Sequence, residues 1–317
     1  MNDQPVPVKA IGLDPRRTLK RRILFRKNVP LMIMFFPVIV YFIVFKYVPM
    51  LGAVIAFKQY NFSDGIMGSP WVGLDNFRLL FSNPQMVNTI RNTLLLSVLK
   101  IVVGFPFPIL LAILLNEVRR KWFKNVVQTL VYLPHFFNWI IVAGIVITVF
   151  SRESGIINHL IQRGGGEAYP FLYNGFSWVA IFLGSGIWKE VGFSAIVYLA
   201  AITTIDPSLY ESAGMDGASK LRQIWHITLP GMRPTIILLL ILAMGNVMEV
   251  GFDQIYLLQN SVVAHISEVI STFIYRAGLQ GGQFSMTAAM GLFESLVGLV
   301  LVIASNQIAR KFKQGLW

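Results

Sequence analysis

Six long runs of apolar residues, at approximately 31–57, 90–115, 126–149, 176–201, 235–257 and 287–306, constrain this chain more than any other feature. Each reaches roughly the 20 residues that a helix needs to cross bilayer hydrocarbon. In that medium the backbone must satisfy its own N–H and C=O groups, so runs of this kind fold as helices rather than as open strands. Composition agrees: of 317 residues 55% are apolar and only 13% charged, with a mean hydropathy of +0.62. A soluble domain of this size needs more polar cover than that.

Basic residues set the expected orientation. The N-terminal tail carries Lys9, Arg16, Arg17, Lys20, Arg21, Arg22, Arg26 and Lys27, and the second-to-third connection carries Arg119, Arg120, Lys121 and Lys124. Lys220, Arg222 and Arg233 follow in the fourth-to-fifth connection, and Arg310, Lys311 and Lys313 at the end. All fall on one side of a six-span arrangement, which predicts a multi-pass protein with both termini cytoplasmic. The net charge of +12 is then a juxtamembrane feature suited to anionic lipid headgroups, and no nucleic-acid partner is expected. The run beginning at Leu31 is too long for a cleaved signal peptide. With no cysteine, disulfides and thiol chemistry are excluded. The expected organisation is a basic tail over 1–30, a membrane domain over 31–306 that includes a cytoplasmic loop at 202–234, and a short tail over 307–317.

That loop holds the most distinctive segment, ESAGMDGASKLRQIWHITLP from Glu211 to Pro230. Asp206-Pro207 is a good helix start, because Asp accepts orphan backbone N–H groups and Pro needs no donor at the first position. Ser208 and Glu211 offer an alternative capping box. Ala213, Gly217 and Ala218 make a low-profile surface, with Gly217 permitting a bend or a close contact. Leu221, Ile224 and Trp225 supply apolar anchorage, and Pro230 is expected to stop the helix before the fifth span. The segment reads either as a docking knob for a soluble partner or as an ordinary amphipathic loop helix.

Glu211, Ala213, Gly217, Ile227, Leu229 and Pro230 resemble the EAA signature of permease subunits from binding-protein-dependent ABC importers, with Ser212 in place of the usual second alanine. VGLDNF at 72–77, Asn92-Thr93 and Gly155-Ile156-Ile157-Asn158 extend the resemblance to maltose-type sugar permeases over residues 31–306. The general layout is most similar to permeases for complex oligosaccharides, including uronate-containing ones. The resemblance implies an all-α polytopic fold of six transmembrane helices with a cytoplasmic coupling-helix loop, in the bacterial cytoplasmic (inner) membrane. It implies that Glu211, Ser212, Ala213, Asp216, Gly217, Ala218, Leu229 and Pro230 form the surface that sits in a groove of the ATPase. The implied partners are a second permease subunit in a heterodimer, two ATPase subunits that bind ATP and Mg, and an extracytoplasmic solute-binding protein. The chain has no GxxxxGK[ST] phosphate loop, so it is expected to be a conduit and not an enzyme, with no cofactor of its own.

Polar residues inside spans are costly and mark either a path or a structural pair. Lys46, Lys100 and Lys189 fall near the middle of expected spans, and Asn246, Glu249 and Asp253 are spaced i, i+3, i+7 so as to share one face of a helical fifth span. They read as sugar-binding groups along a translocation path, with Trp188 and Tyr198 as stacking surfaces, or as ion pairs holding the bundle together. Four dispersed histidines, His135, His159, His226 and His265, predict no metal site. A secondary sugar transporter and a non-translocating assembly subunit remain as alternative functions.

Overall fold

The computed structural model describes residues 15–311, so the outermost parts of both expected tails, with Lys9 and Lys313, lie outside the described residues. Two compact units divide at Val54 and Ile55. The first is helical, running from Pro15 through a π turn at Ile43–Tyr47 that contains Lys46. Its apolar part is the beginning of the span α1 (Asn28–Phe57).

The second unit is a helical bundle. In chain order it contains α2 (Asp75–Ser82), α3 (Pro84–Glu117), α4 (Lys121–Phe136), α5 (Trp139–Phe150), α6 (Ile156–Arg163) and α7 (Gly175–Thr203). These are followed by α8 (Pro207–Met215), α9 (Lys220–Gly245), α10 (Phe252–Leu258) and α11 (Phe284–Lys311). Among the described residues five helices are long and apolar enough to cross a membrane. The third expected span differs, because α4 and α5 meet at a bend of 104°. Asn138 makes the break: its side chain accepts the Ile141 N–H and starts a new helix in a new direction.

Asparagine organises much of the rest. Asn83 and Asn174 cap α3 and α7 by accepting N–H groups of the first turns. The three motif asparagines are buried and act as pins between segments. Asn76 donates to the carbonyls of Ala56 and Lys58, and Asn92 to those of His265 and Glu268. Asn158 donates to the Ser151 and Tyr169 carbonyls and accepts the Tyr169 N–H. Each replaces water for backbone groups that would otherwise be unsatisfied inside the protein. Thr93 adds one more such bond, accepting the Ile270 N–H.

Helix α7 is the axis of the unit, packing on α3, α4, α5 and α9. Lipid tails are as apolar as Leu, so fit and hydrogen bonding decide these contacts more than burial does. At Gly192 the backbone of α7 meets that of α4 so closely that an added Cβ would lie 2.0 Å from the Val131 carbonyl oxygen. Near the other end, Trp178 stacks on Phe182 and donates its indole N–H to the Leu258 carbonyl.

Prolines bend the pattern less than the sequence suggests. α3 continues through Pro106 and Pro108, with Phe105 holding helical angles and donating to Ile101. Pro230 does not stop a helix: α9 runs from Lys220 past Pro230 and Pro234 to Gly245. A π turn at Ile224–Thr228 precedes Pro230 and absorbs the donor and space that its ring removes.

Candidate functional site

Two regions of the second unit gather the residues singled out by sequence. The first is α8 and its exit. Asp206 accepts the Ser208 N–H at the helix start, so the single cap forms and the Ser208–Glu211 box does not. That bond, first to the backbone and then to the side chain of Ser208, holds the Asp206 carboxyl below its usual range. The helix ends in a Schellman turn: Ala218 N–H donates to Ala213, Gly217 N–H donates to Gly214, and Gly217 takes φ +75°. No atom lies within 4 Å of a Cβ built on Gly217, so within this chain the residue serves the turn and not a close contact.

No α8 side chain is buried. Glu211, Ser212 and Asp216 are exposed, while Ala213 and Ala218 are half-buried. Of the expected apolar anchorage beyond α8, Ile224 packs against the apolar cluster built by α3, α7 and α9, whereas Leu221 is 70% and Trp225 67% exposed. Leu229 is half-buried and Pro230 exposed on α9. Tyr210 reaches the Thr228 hydroxyl at 2.9 Å, and Lys220 pairs with Glu117 at 3.2 Å, fastening the loop to α9 and α3.

The second region is a cavity of about 400 Å³ between α3, α7, α9 and α10. Lys100, Glu190, Ser194 and Gln254 are among its polar residues, and Phe105, Phe182, Phe193 and Tyr198 are among its aromatic walls. Above it the fifth span is interrupted. α9 ends at Gly245, Gly251 takes φ +112°, and α10 begins at Phe252. Asn246, Glu249 and Asp253 therefore do not share a helical face, because Asn246 and Glu249 lie in the non-helical break and Asp253 in the next helix. All three are exposed on this chain and do not line the cavity. Glu249 lies within electrostatic reach of Glu294 on α11.

Each interrupted span has a lysine at its break. Lys100 Nζ donates to the Val250 carbonyl at 2.8 Å, and Lys189 Nζ donates to the His135 carbonyl at 2.8 Å. Both carbonyls have lost helical partners, and an ammonium reaching from a neighbouring helix replaces them. Lys189, on α7, is 6% exposed, pairs with Glu190 at 3.2 Å and lies over the Trp139 ring. Glu190 also meets His135 Nδ1 at 2.8 Å, and the His135 ring stacks on Phe193. Trp188 is exposed and outside the cavity lining.

Of the intramembrane candidates, then, Lys100 and Tyr198 line the cavity, and Glu190 and Gln254 join them. Gln254 was not among the sequence candidates. It is 1% exposed, its Nε2 donates to the Phe182 carbonyl and Ser185 hydroxyl, and its Oε1 has no partner. The signal for it was available, since an uncharged amide in an apolar run incurs a desolvation cost of the same kind as a charge. Among the described residues there is no cluster suited to a metal ion.

Residues 104–314 match the family described as binding-protein-dependent transport system inner membrane component. The chain belongs to this family, and is thus a multi-pass permease component. It is 47% identical to the polygalacturonan/rhamnogalacturonan transport system permease protein YteP of Bacillus subtilis (strain 168), over 94% of this chain and 92% of that one. It is 42% identical to the protein LplB of the same organism, over 98% and 96%. A solved bacterial ABC transporter involved in import of the acidic polysaccharide alginate contains a chain 43% identical to this one. That chain superimposes with a TM-score of 0.86 over 92% of this protein and 99% of its own length.

Proposed function

We propose that this protein is a translocating subunit of an ATP-driven ABC importer for oligosaccharides, with uronate-containing ones as its substrates. It works in the bacterial inner membrane with both termini cytoplasmic. It pairs with a second permease, takes sugar from an extracytoplasmic binding protein, and is driven by two ATPase subunits that bind ATP and Mg. The acidic substrate is supported by the relatives, which are named for transport of polygalacturonan or import of alginate.

The observation that carries the reading is α8, a helix of nine residues that buries none of its side chains. A helix this short is not stable by itself in water. Here it is started by Asp206, stopped by Gly217 and fastened through Tyr210, so it is held ready while its outer surface, including Leu209 and Met215, stays uncovered. A surface prepared in this way is suited to burial in a groove of another protein. Glu211, Ser212, Ala213, Asp216, Gly217 and Ala218 form the part offered to the ATPase, with Leu229 and Pro230 at the base of the helix that carries its movement into the membrane.

On the path side, Lys100 and Glu190 present charge to the cavity, and Phe105 offers a face on which sugar rings stack, with Tyr198, 2% exposed, packed against it in a T-shaped contact. Asn246, Glu249 and Asp253, exposed on the single chain, are placed to meet the second permease or a path between the two. Lys189 serves as a support of the wall, Trp188 lies outside it, and Lys46 has its role on the first span.

The test is to purify the chain from its native membrane with its neighbouring subunits and to measure ATP hydrolysis in the presence of the binding protein. Tri-galacturonate loaded on the binding protein is expected to stimulate hydrolysis. An intact, transporting assembly without an ATPase subunit would favour a secondary transporter, and a complex whose hydrolysis ignores every oligosaccharide would favour an assembly subunit.

A further inference from the structure

Lys100 stands at the meeting point of two functions that sequence and family leave separate: the wall of the cavity and the break in the helix that leads to α8. Its ammonium makes one hydrogen bond, to the Val250 carbonyl, and the same group lines the cavity. A Cβ placed on Gly251 would lie 3.6 Å from Lys100 Nζ and 4.0 Å from Gln254 Oε1, so lysine, break and unpartnered amide oxygen are adjacent. Glu190 is within electrostatic reach across the cavity but does not contact Lys100, being held instead by Lys189 and His135.

The side chains of Val247, Met248 and Val250 are buried in the apolar clusters, and that bond adds a polar tie on the backbone of the break. Between Gly245 and Phe252 its backbone bonds include Val247 to Met244 at 3.4 Å and Glu249 to Asn246 at 2.9 Å, which are turns closed within or just before the segment. Lys100 makes the polar tie from another span at the far end of the segment, beside the packing of Val250 in the cluster that contains Leu96, Trp178 and Phe182. The near end is covalently continuous with α9, whose 26 residues make a rod of roughly 39 Å from the break to the loop that carries α8.

We propose that Lys100 is a tether that an acidic substrate competes for. In this structure it holds the Val250 carbonyl. A substrate carboxylate entering the cavity is the stronger acceptor for an ammonium in a medium of low dielectric constant, because both partners are charged. The bond to Val250 is then weakened or given up, Gln254 Oε1 receives a sugar hydroxyl, and the backbone of the break at 246–251 loses its polar tie at the top of α9. Substrate charge is thus read as a loosening of the helix that ends at the ATPase-facing loop. A neutral sugar of equal size fills the cavity without displacing the tether. The inference rests on the importer reading above and adds a specificity-determining residue and its mode of action.

Hydrogen exchange of the peptide covering residues 245–252, measured on the whole purified complex, tests it. Tri-galacturonate is expected to speed exchange there by about tenfold, the size expected when one charge-assisted hydrogen bond no longer holds a segment. The carboxyl-reduced neutral trisaccharide is expected to leave the rate unchanged. In Lys100→Met the segment exchanges fast from the outset and ignores both sugars, whereas Lys100→Arg keeps protection and response. If the wild-type segment shows no change with tri-galacturonate while the same preparation hydrolyses ATP in response to it, the tether is refuted and the importer reading stands. That arm needs no variant. If no oligosaccharide stimulates hydrolysis in the wild type, the importer reading itself falls and the tether with it.

Discussion

Gly192 is the residue at which the packing of this bundle is least forgiving. Its missing side chain lets α7 touch the end of α4, and an alanine there would place Cβ 2.0 Å from the Val131 oxygen and 2.5 Å from its carbon. Backbone atoms cannot rotate aside as a side chain can, so the helices have to part, at a cost of about 1–3 kcal/mol. Gly192→Ala is expected to lower the melting temperature of the purified protein by on the order of 5 °C, read by gel filtration after heating. Gly184→Ala, eight residues earlier on the same helix with open space around it, is the control and should melt as the wild type does. A like effect of both substitutions would mean that the close approach is not what holds α7 to α4. Neither glycine can be told from the other in the sequence, since the difference lies in which neighbour the helix meets.

At the scale of elements, α8 depends on its ends. Asp206 accepts the Ser208 N–H, which stabilises the carboxylate and keeps its titration below the usual value of 3.8. The sign follows: a group depressed in the folded state contributes fully above its unfolded value, and the contribution is lost as pH falls through the folded one. At neutral pH the cap is therefore intact, and α8 is expected to begin fraying only below about pH 4. Asp206→Ala removes the cap at every pH and should raise amide exchange over residues 207–215 roughly fivefold, with Asp206→Asn close to wild type. Equal exchange in Asp206→Ala and wild type would show that another contact holds the helix. This start was legible from Asp-Pro alone. The exposure of Leu221 and Trp225 was not, because an apolar residue in a sequence does not say whether its partner is in the same chain.

For the whole molecule, the arrangement of basic clusters makes a claim about sidedness that can be checked directly, since the absence of native cysteine leaves a clean background. A membrane-impermeant maleimide is expected to modify Ser212→Cys in inverted vesicles and not in spheroplasts, and Asn61→Cys in spheroplasts and not in inverted vesicles. Both side chains are exposed on this chain, so in vesicles stripped of the ATPase subunits failure to label reports the side and not burial. The opposite pattern would reverse the orientation and place α8 away from any cytoplasmic ATPase. Such a result would also leave the basic residues flanking α3, α4 and α9 on the outer face, contrary to the usual retention of Lys and Arg inside.

The sequence by itself determined that this is a helical membrane protein, where most spans lie and that a capped surface helix occupies the loop after α7, because hydrophobic length, charge asymmetry and cap chemistry are local properties. It also pointed to Asn76, Asn92 and Asn158 through their motifs, though not to their work as pins. The tertiary structure alone decided how the interrupted spans are resolved. The third expected span bends by 104° and the fifth breaks after Gly245, so Asn246, Glu249 and Asp253 leave the common face that a continuous helix would have given them. Helical periodicity predicts neighbours only while the helix persists, and here the broken ends are met by Lys100 and Lys189, which reach them from other helices at sequence separations of 150 and 54 residues.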